Sequence, residues 1–255
     1  MNYANQVIDR CRSTNDLVKE LAEKGYPHGT WVSARAQEAG RGRLGRKWSS
    51  IEGNLFLSYL TRIEPRERWS WIPLTTAVAT VRCLAGLFPE ISLRIKWPND
   101  LWVSYRGADA KLGGILCEGT SSSHPYIVVG IGLNCRQAPD SQTVGQQAAD
   151  LTSCLGGRAI HADDVRAPLI ESLNDSFGRL ATDGKEWVAQ EYEKWNLFSP
   201  GTEVAWGSPQ LKATVVGLGD SGELIVRNSA GEVRGLFSEE LSVRPALKTG
   251  EPRVQ

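Results

Sequence analysis

The sequence predicts an α+β fold: a mixed, largely antiparallel sheet carrying helices, followed by a small C-terminal β-barrel. Three observations predict it. Most apolar segments of strand length are joined by short turns rather than by helix-length crossovers, which favours antiparallel pairing. A few segments instead repeat apolar residues at helical spacing. From Pro200 the texture changes to short alternating segments parted by Gly-rich turns. The 255 residues, 41% apolar and 23% charged, suit one ordinary globular core with a small appendage rather than two full domains.

Ser13, Thr14 and Asn15 are N-cap residues in front of Leu17, Val18, Leu21 and Ala22, one apolar helical face, and Gly25 supplies the stop; a first helix therefore starts at Ser13 or Thr14. Thr30 to Ala34 and Asn54 to Leu60 read as strands. Pro73 suits the first turn of a helix that buries Leu74, Ala77, Val78, Val81, Leu84 and Ala85. Further strands follow at Leu93 to Trp97, Leu101 to Val103, Leu112 to Cys117 and Tyr126 to Leu133. A long helix is expected from Asp163 or Asp164 to about Ala181, which puts Pro168 in its first turn, and a shorter one carries Trp187, Val188, Tyr192 and Trp195. The barrel strands are Thr202 to Trp206, Leu211 to Val216, Glu223 to Arg227 and Glu232 to Leu236. The expected division is a main domain over 1–199, a barrel over 200–246 docked on it, and a disordered tail over 247–255.

Lys plus Arg equals Asp plus Glu at 29 each, which argues against a general nucleic-acid or membrane-surface role. The longest apolar run, Tyr126 to Leu133, is too short to span a bilayer, and Met1 to Arg12 lacks a signal-peptide core. The five cysteines, Cys11, Cys83, Cys117, Cys135 and Cys154, are odd in number and scattered, as reduced thiols of a cytoplasmic protein would be. His28, His124 and His161 neighbour no nucleophile or metal motif.

The neutral total conceals a cationic segment. Between Arg35 and Trp48 stand Arg35, Arg41, Arg43, Arg46 and Lys47 against the single acid Glu38. Gly40, Gly42 and Gly45 satisfy G-x-G-x-x-G, but Ala36 to Ala39 separate them from the strand and Trp48 follows where a helix would open, so the dinucleotide-binding reading fails on context. What remains is either a solvated basic hairpin or a flexible loop that an anion orders through charge-assisted hydrogen bonds. Lys96-Trp97-Pro98-Asn99-Asp100 places a carboxylate at a strand end, where it holds a cation, orients a partner, or is part of an ordinary turn. Lys111-Leu112-Gly113-Gly114 sets a lysine before glycines that permit close approach of a ligand or of backbone, the plain alternative being a surface lysine.

Together these residues carry a resemblance. Gly40 to Trp48, then Lys96 to Asp100, then Lys111-Leu112-Gly113-Gly114-Ile115-Leu116, then Gly130-Ile131-Gly132-Leu133-Asn134 resemble, in that order and spacing, the biotin protein ligases. Ser13-Thr14-Asn15 and the C-terminal region extend the likeness over nearly the whole chain, although Glu239 stands where a glycine is common before the ending at Arg244. The resemblance implies a class II aminoacyl-tRNA synthetase/biotin ligase-like catalytic domain with an SH3-like barrel. It implies an enzyme that joins biotin to ATP as biotinyl-5'-AMP, releases pyrophosphate, and passes biotin to a lysine of a biotin carboxyl carrier protein. By the same resemblance Ser13, Thr14, Asn15, Gln37, Gly40, Arg41, Arg43, Lys111 and Gly114 bind biotin, and Arg46, Trp48 and Asn134 bind the nucleotide. Lys111, Arg43 and Asp100 are the catalytic candidates, with Asp100 also the candidate for Mg²⁺. Only twelve residues precede Ser13, too few for a helix-turn-helix unit, so the ligase-only form without DNA binding is expected, as a monomer or weak homodimer. A lipoate ligase would share the fold but fits the Arg-rich loop and the Trp-Pro-Asn-Asp turn less well. A non-catalytic biotin-binding module would not need an intact Lys111.

Overall fold

The computed structural model describes residues 3–120, 124–206, 211–237 and 244–245. The elements are β1 (Gln6–Cys11), α1 (Thr14–Glu23), β2 (Trp31–Gln37), β3 (Leu55–Thr61), α2 (Ile72–Leu87), β4 (Leu93–Lys96), β5 (Asp100–Tyr105), β6 (Ala108–Thr120) and β7 (Tyr126–Leu133). After them come α3 (Ser141–Val144), α4 (Leu151–Cys154), α5 (Ala162–Thr182), α6 (Gly184–Trp195) and the short strands β8 (Glu203–Trp206), β9 (Leu211–Leu218), β10 (Leu224–Arg227), β11 (Val233–Leu236) and β12 (Arg244–Pro245).

Seven strands form the main sheet in the order β1-β2-β3-β7-β6-β5-β4. Every neighbouring pair is antiparallel except β1 with β2. The mixed, largely antiparallel sheet is therefore present. β1 is the strand that sequence reading missed: its Asp9 and Arg10 are exposed at the sheet edge, so it shows no apolar alternation to read.

Period-two alternation sends β3 to two cores. Leu55, Leu57 and Tyr59 pack with α2 and α5, whereas Leu60 joins Val18, Leu21 and Ala22 of α1 with Val32, Tyr126 and Val128. Buried on both faces, β3 reads as a continuous apolar run. α2 carries Pro73 in its first turn, as expected. The helical stretch Arg66–Leu87 is long and apolar enough to cross a bilayer, and 67% of its most apolar window is buried inside the fold, which makes it a core helix.

One expectation is corrected. α5 begins at Ala162, so Pro168 falls in its second turn rather than its first. The helix starts early because the Asp164 carboxylate accepts from the His161 amide at 2.8 Å, closing the N-terminus. The Asp164 carbonyl, which loses its helical donor to the proline ring, belongs to an exposed residue that water can satisfy.

The second sheet is antiparallel, in the order β11-β10-β9-β8-β12. It docks through two buried indoles: Trp71 donates to the Asp220 carbonyl at 3.0 Å and Trp97 to the Gly222 carbonyl at 2.9 Å. The expectations for residues 246–255 and for Glu239 lie outside the described residues.

Candidate active site

One face of the main sheet carries a cavity of about 510 Å³, walled by the start of α1, the segment from Arg41 to Ser49, strands β5 to β7, and residues 139–148. Of the residues singled out in the sequence, Ser13, Thr14, Asn15, Gln37, Arg41, Arg43, Arg46, Trp48, Asp100, Lys111, Gly114 and Asn134 line it. Gly40 does not; its carbonyl accepts the Trp48 amide at 2.9 Å and closes the cationic loop from behind.

Glycines make the floor. Gly114 and Gly132 face each other across β6 and β7. A Cβ on Gly132 would collide with the Trp48 ring, and one on Gly114 would stand 3.2 Å from it. A Cβ on Gly130 would collide with the Asn15 amide oxygen. The Gly-x-Gly of β7 thus admits one polar and one aromatic side chain directly against the sheet.

One end of the cavity is built of uncharged polar groups. Ser13, Thr14 and Asn15 are nearly buried at the start of α1. Ser13 holds the N-cap position, as expected, but its hydroxyl caps no amide, and the residue lines the cavity. The Thr14 amide donates to Gln37 Oε1 at 2.8 Å, and its hydroxyl to the same oxygen at 3.1 Å. Ser58 Oγ lies 2.7 Å from Thr14 Oγ1 and 2.5 Å from Asn15 Oδ1, while Asn15 Nδ2 donates to Glu118 Oε2 at 2.7 Å.

The other end is ionic. Lys111 Nζ stands 2.7 Å from Asp100 Oδ1 and 5.7 Å from the centre of the Trp48 ring. Lys111 and Gly114 are an odd number of residues apart and would face opposite sides of a regular strand. A bulge fixes this: β5 pairs Leu101 with Gly113 but Trp102 with Lys111, leaving Leu112 as the extra residue that turns the lysine to the cavity. Past the bulge Lys111 pairs with the 147–149 segment, its amide donating to the Gln147 carbonyl at 2.9 Å.

The cationic loop is a small hairpin with an Arg41–Lys47 bridge and a 3₁₀ turn at Arg43–Gly45 whose Leu44 has a left-handed backbone. Arg41 forms a bidentate pair with Asp16 at 3.0 and 2.5 Å and approaches Glu118 at 3.6 Å. The hydrogen bond from Arg41 holds the Asp16 carboxyl below its ordinary value. Burial alone would raise Glu118, but hydrogen bonds from Lys19 and Asn15 and the charges of Lys19 and Arg41 bring it down. Arg43 donates to Asn99 Oδ1 at 2.8 Å, and Asn99 Nδ2 donates to the Ile115 carbonyl at 2.7 Å, which fixes the amide's orientation.

Sequence reading missed Asp16, Ser58, Asn99 and Glu118 and the wall at 139–148. Asp16 and Glu118 had a signal, an acid beside Ser13-Thr14-Asn15 and a lone acid in an apolar strand. The Asp140-Ser141 helix start was legible as an N-cap, and the Asp140 carboxylate does cap α3. Asn134 lines the cavity, but its amide also donates to the Ala149 carbonyl at 3.0 Å and anchors that wall. Burial pushes the thiols up, Cys117 to about 12 and Cys11 to about 11, which suits packing and not nucleophilic attack. Among the described residues, no three His, Cys, Asp or Glu side chains gather as a metal cluster.

Residues 7–134, about half the chain, match the Biotin/lipoate A/B protein ligase family, and the chain belongs to that family. It is 37% identical over 173 residues to the biotin--[acetyl-CoA-carboxylase] ligase of Mycobacterium tuberculosis, a match covering 66% of this chain and 61% of that protein. The ligase of the same name from Paracoccus denitrificans is 30% identical over 239 residues, covering 88% of this chain and 95% of that protein. Among solved structures, the biotin protein ligase from Aquifex aeolicus in complex with biotin and ATP aligns with a TM-score of 0.78 at 27% identity, covering 94% of this chain and 98% of that one.

Proposed function

We propose that the chain is an ATP-dependent biotin protein ligase that makes biotinyl-5'-AMP and transfers biotin to a lysine of a biotin carboxyl carrier protein. The observation that carries this is the joining, in one cavity, of an uncharged polar end to an end holding a Lys111–Asp100 pair under a cationic loop. The first end suits a neutral, hydrogen-bonding ring; the second suits a carboxylate meeting a phosphate. Belonging to the family, and likeness to relatives bearing the ligase name, support it.

In the first step a biotin carboxylate oxygen attacks the α-phosphorus of ATP, the P–O bond to pyrophosphate breaks, and a mixed anhydride forms. In the second, a lysine amine attacks the acyl carbon and AMP leaves. Neither step needs a covalent enzyme nucleophile. The first needs two anions held in line and their charge offset, and the second needs the amine brought to the acyl carbon. In this reading Lys111 bridges carboxylate and α-phosphate, and its pairing with Asp100 supports a role for that carboxylate in orienting the ammonium. Arg41 and Arg43 cover the intermediate, and Trp48 offers a face to the adenine. Among the described residues that line the cavity, Asp100 is the single carboxylate, which fits a Mg²⁺ held mainly by ATP phosphates and water rather than by a protein cage. Such an ion would supply further charge neutralisation at phosphorus.

The balanced charge and the unpaired cysteines support a cytoplasmic protein with no general nucleic-acid or membrane role, and we take it to act as a monomer or weak homodimer. The test is incubation with Mg-ATP, a carrier domain and either biotin or lipoate, followed by intact mass measurement. A carrier heavier by one biotinyl group is expected. Modification by lipoate alone, or none, would overturn the proposal.

A further inference from the structure

Asp16 stands apart from the residues that line the cavity. It occupies the third position of α1, directly after Ser13, Thr14 and Asn15, where a carboxylate commonly turns back to the N-cap amide. Its two oxygens instead take both terminal nitrogens of Arg41, a cavity residue on a different segment. Glu118 joins the same group from β6: one oxygen accepts from Asn15, the other pairs with Lys19 at 2.8 Å, and Arg41 lies within 3.6 Å. Ser58, Asn15, Glu118, Arg41 and Asp16 thus form a continuous polar path that leaves the uncharged end of the cavity, crosses to the cationic loop and returns to α1.

We propose that Asp16, assisted by Glu118, is a positioning residue that ties Arg41 and its loop to the helix start bearing the uncharged end, so that the two ends of the cavity are set in register. In its substrate terms this rests on the biotin ligase reading. Asp16 touches no reacting atom; it acts through Arg41. A bidentate arginine–carboxylate pair fixes direction as well as distance, which a lone contact would not. The ends of a glycine-containing hairpin can otherwise pivot, and every degree of freedom removed before binding is one the substrate need not remove. Because the pair is partly exposed, the effect is moderate, roughly three- to tenfold.

The test uses the full chain as wild type, Asp16→Asn, Asp16→Glu and Glu118→Gln. Arg41, Arg43, Arg46 and Lys47 make the loop itself a trypsin substrate, so native-state cleavage there reports its tethering without any assumption about function. Asp16→Asn is expected to speed loop cleavage roughly three- to tenfold at unchanged Tm, Glu118→Gln to do so less, and Asp16→Glu to restore the wild-type rate. In biotin-dependent ATP–pyrophosphate exchange, Asp16→Asn should raise KM for biotin by a similar factor while kcat stays within about twofold. Unchanged loop cleavage in Asp16→Asn, or a fall in kcat with KM unmoved, would overturn the proposal. A wild-type protein without exchange activity would sink the ligase reading, and loop cleavage would still decide whether Asp16 is the tether.

Discussion

The two ends of the cavity are held by different physics. At the uncharged end, Thr14, Asn15, Gln37 and Ser58 stand on α1, β2 and β3 and are locked by short neutral hydrogen bonds in a nearly dry setting. At the ionic end, Lys111 depends on a strand bulge, Asp100 on a strand end, and the arginines on a loop whose tip is exposed. Regular elements therefore define where a ligand sits, and irregular ones deliver the charge that acts on it. Neutral contacts buried in a sheet tolerate salt and pH but not a change of shape, because the interior cannot repack freely. Ionic contacts on irregular backbone tolerate small changes of shape but not loss of charge.

The largest expected effect is at the ionic end. Lys111→Ala removes the ammonium proposed to meet the α-phosphate and should cut pyrophosphate release roughly 10²- to 10³-fold, with little change in Tm. Undiminished release would move the catalytic charge to the loop arginines. Next comes Arg43→Gly, which removes a charge-assisted contact made through the loop. The adenylate should escape roughly ten- to a hundredfold faster and biotinylate bystander proteins, as read by labelling of an unrelated protein in the same tube. Equal leakage from wild type would show that the loop does not retain the intermediate. At the uncharged end, Gly130→Ala drives a methyl into the space of Asn15 and should raise KM for biotin roughly fivefold while kcat holds. A fall in kcat instead would erase the distinction between the two ends.

The same division explains what the sequence made legible. α1, with one apolar face, lies where its spacing put it, and α2 and β7, apolar almost throughout, lie where their apolar runs put them, because burial of those side chains outweighs other local preferences. β1 escaped because its residues are half-buried or exposed throughout, so no apolar face repeats along it. Lys111 was legible as a residue but not as a geometry: only the bulge at Leu112 puts it beside Gly114. The glycines of β7 carried part of the family likeness without a stated physical role, and in the structure two of them make room for Asn15 and Trp48 of the protein itself. Asp16, Glu118 and Asn99 escaped because their work is done on another segment, and no local stretch of sequence says which distant arginine a side chain will meet.

The smallest expected effect separates the two ends by pH. Both Asp16 and Glu118 carboxyls lie below their ordinary values in the folded chain. A depressed carboxyl contributes stability that is present above its unfolded-state value and lost as pH falls through the folded one. The tether on Arg41 should therefore be constant from neutral to mildly acidic pH and weaken only below about pH 4. The Gly42 amide, bonded to the Arg46 carbonyl at 2.7 Å, and the Trp48 amide report on the loop. The Thr14 amide, bonded to the Gln37 side chain, which does not titrate, reports on the uncharged end. Amide hydrogen exchange, corrected for its intrinsic pH dependence, should show the loop losing protection a few-fold in acid before Thr14 does. Simultaneous loss at both would mean that the polar path through Asn15 and Glu118 makes the two ends one cooperative unit, and the contrast between them would belong to chemistry alone and not to stability.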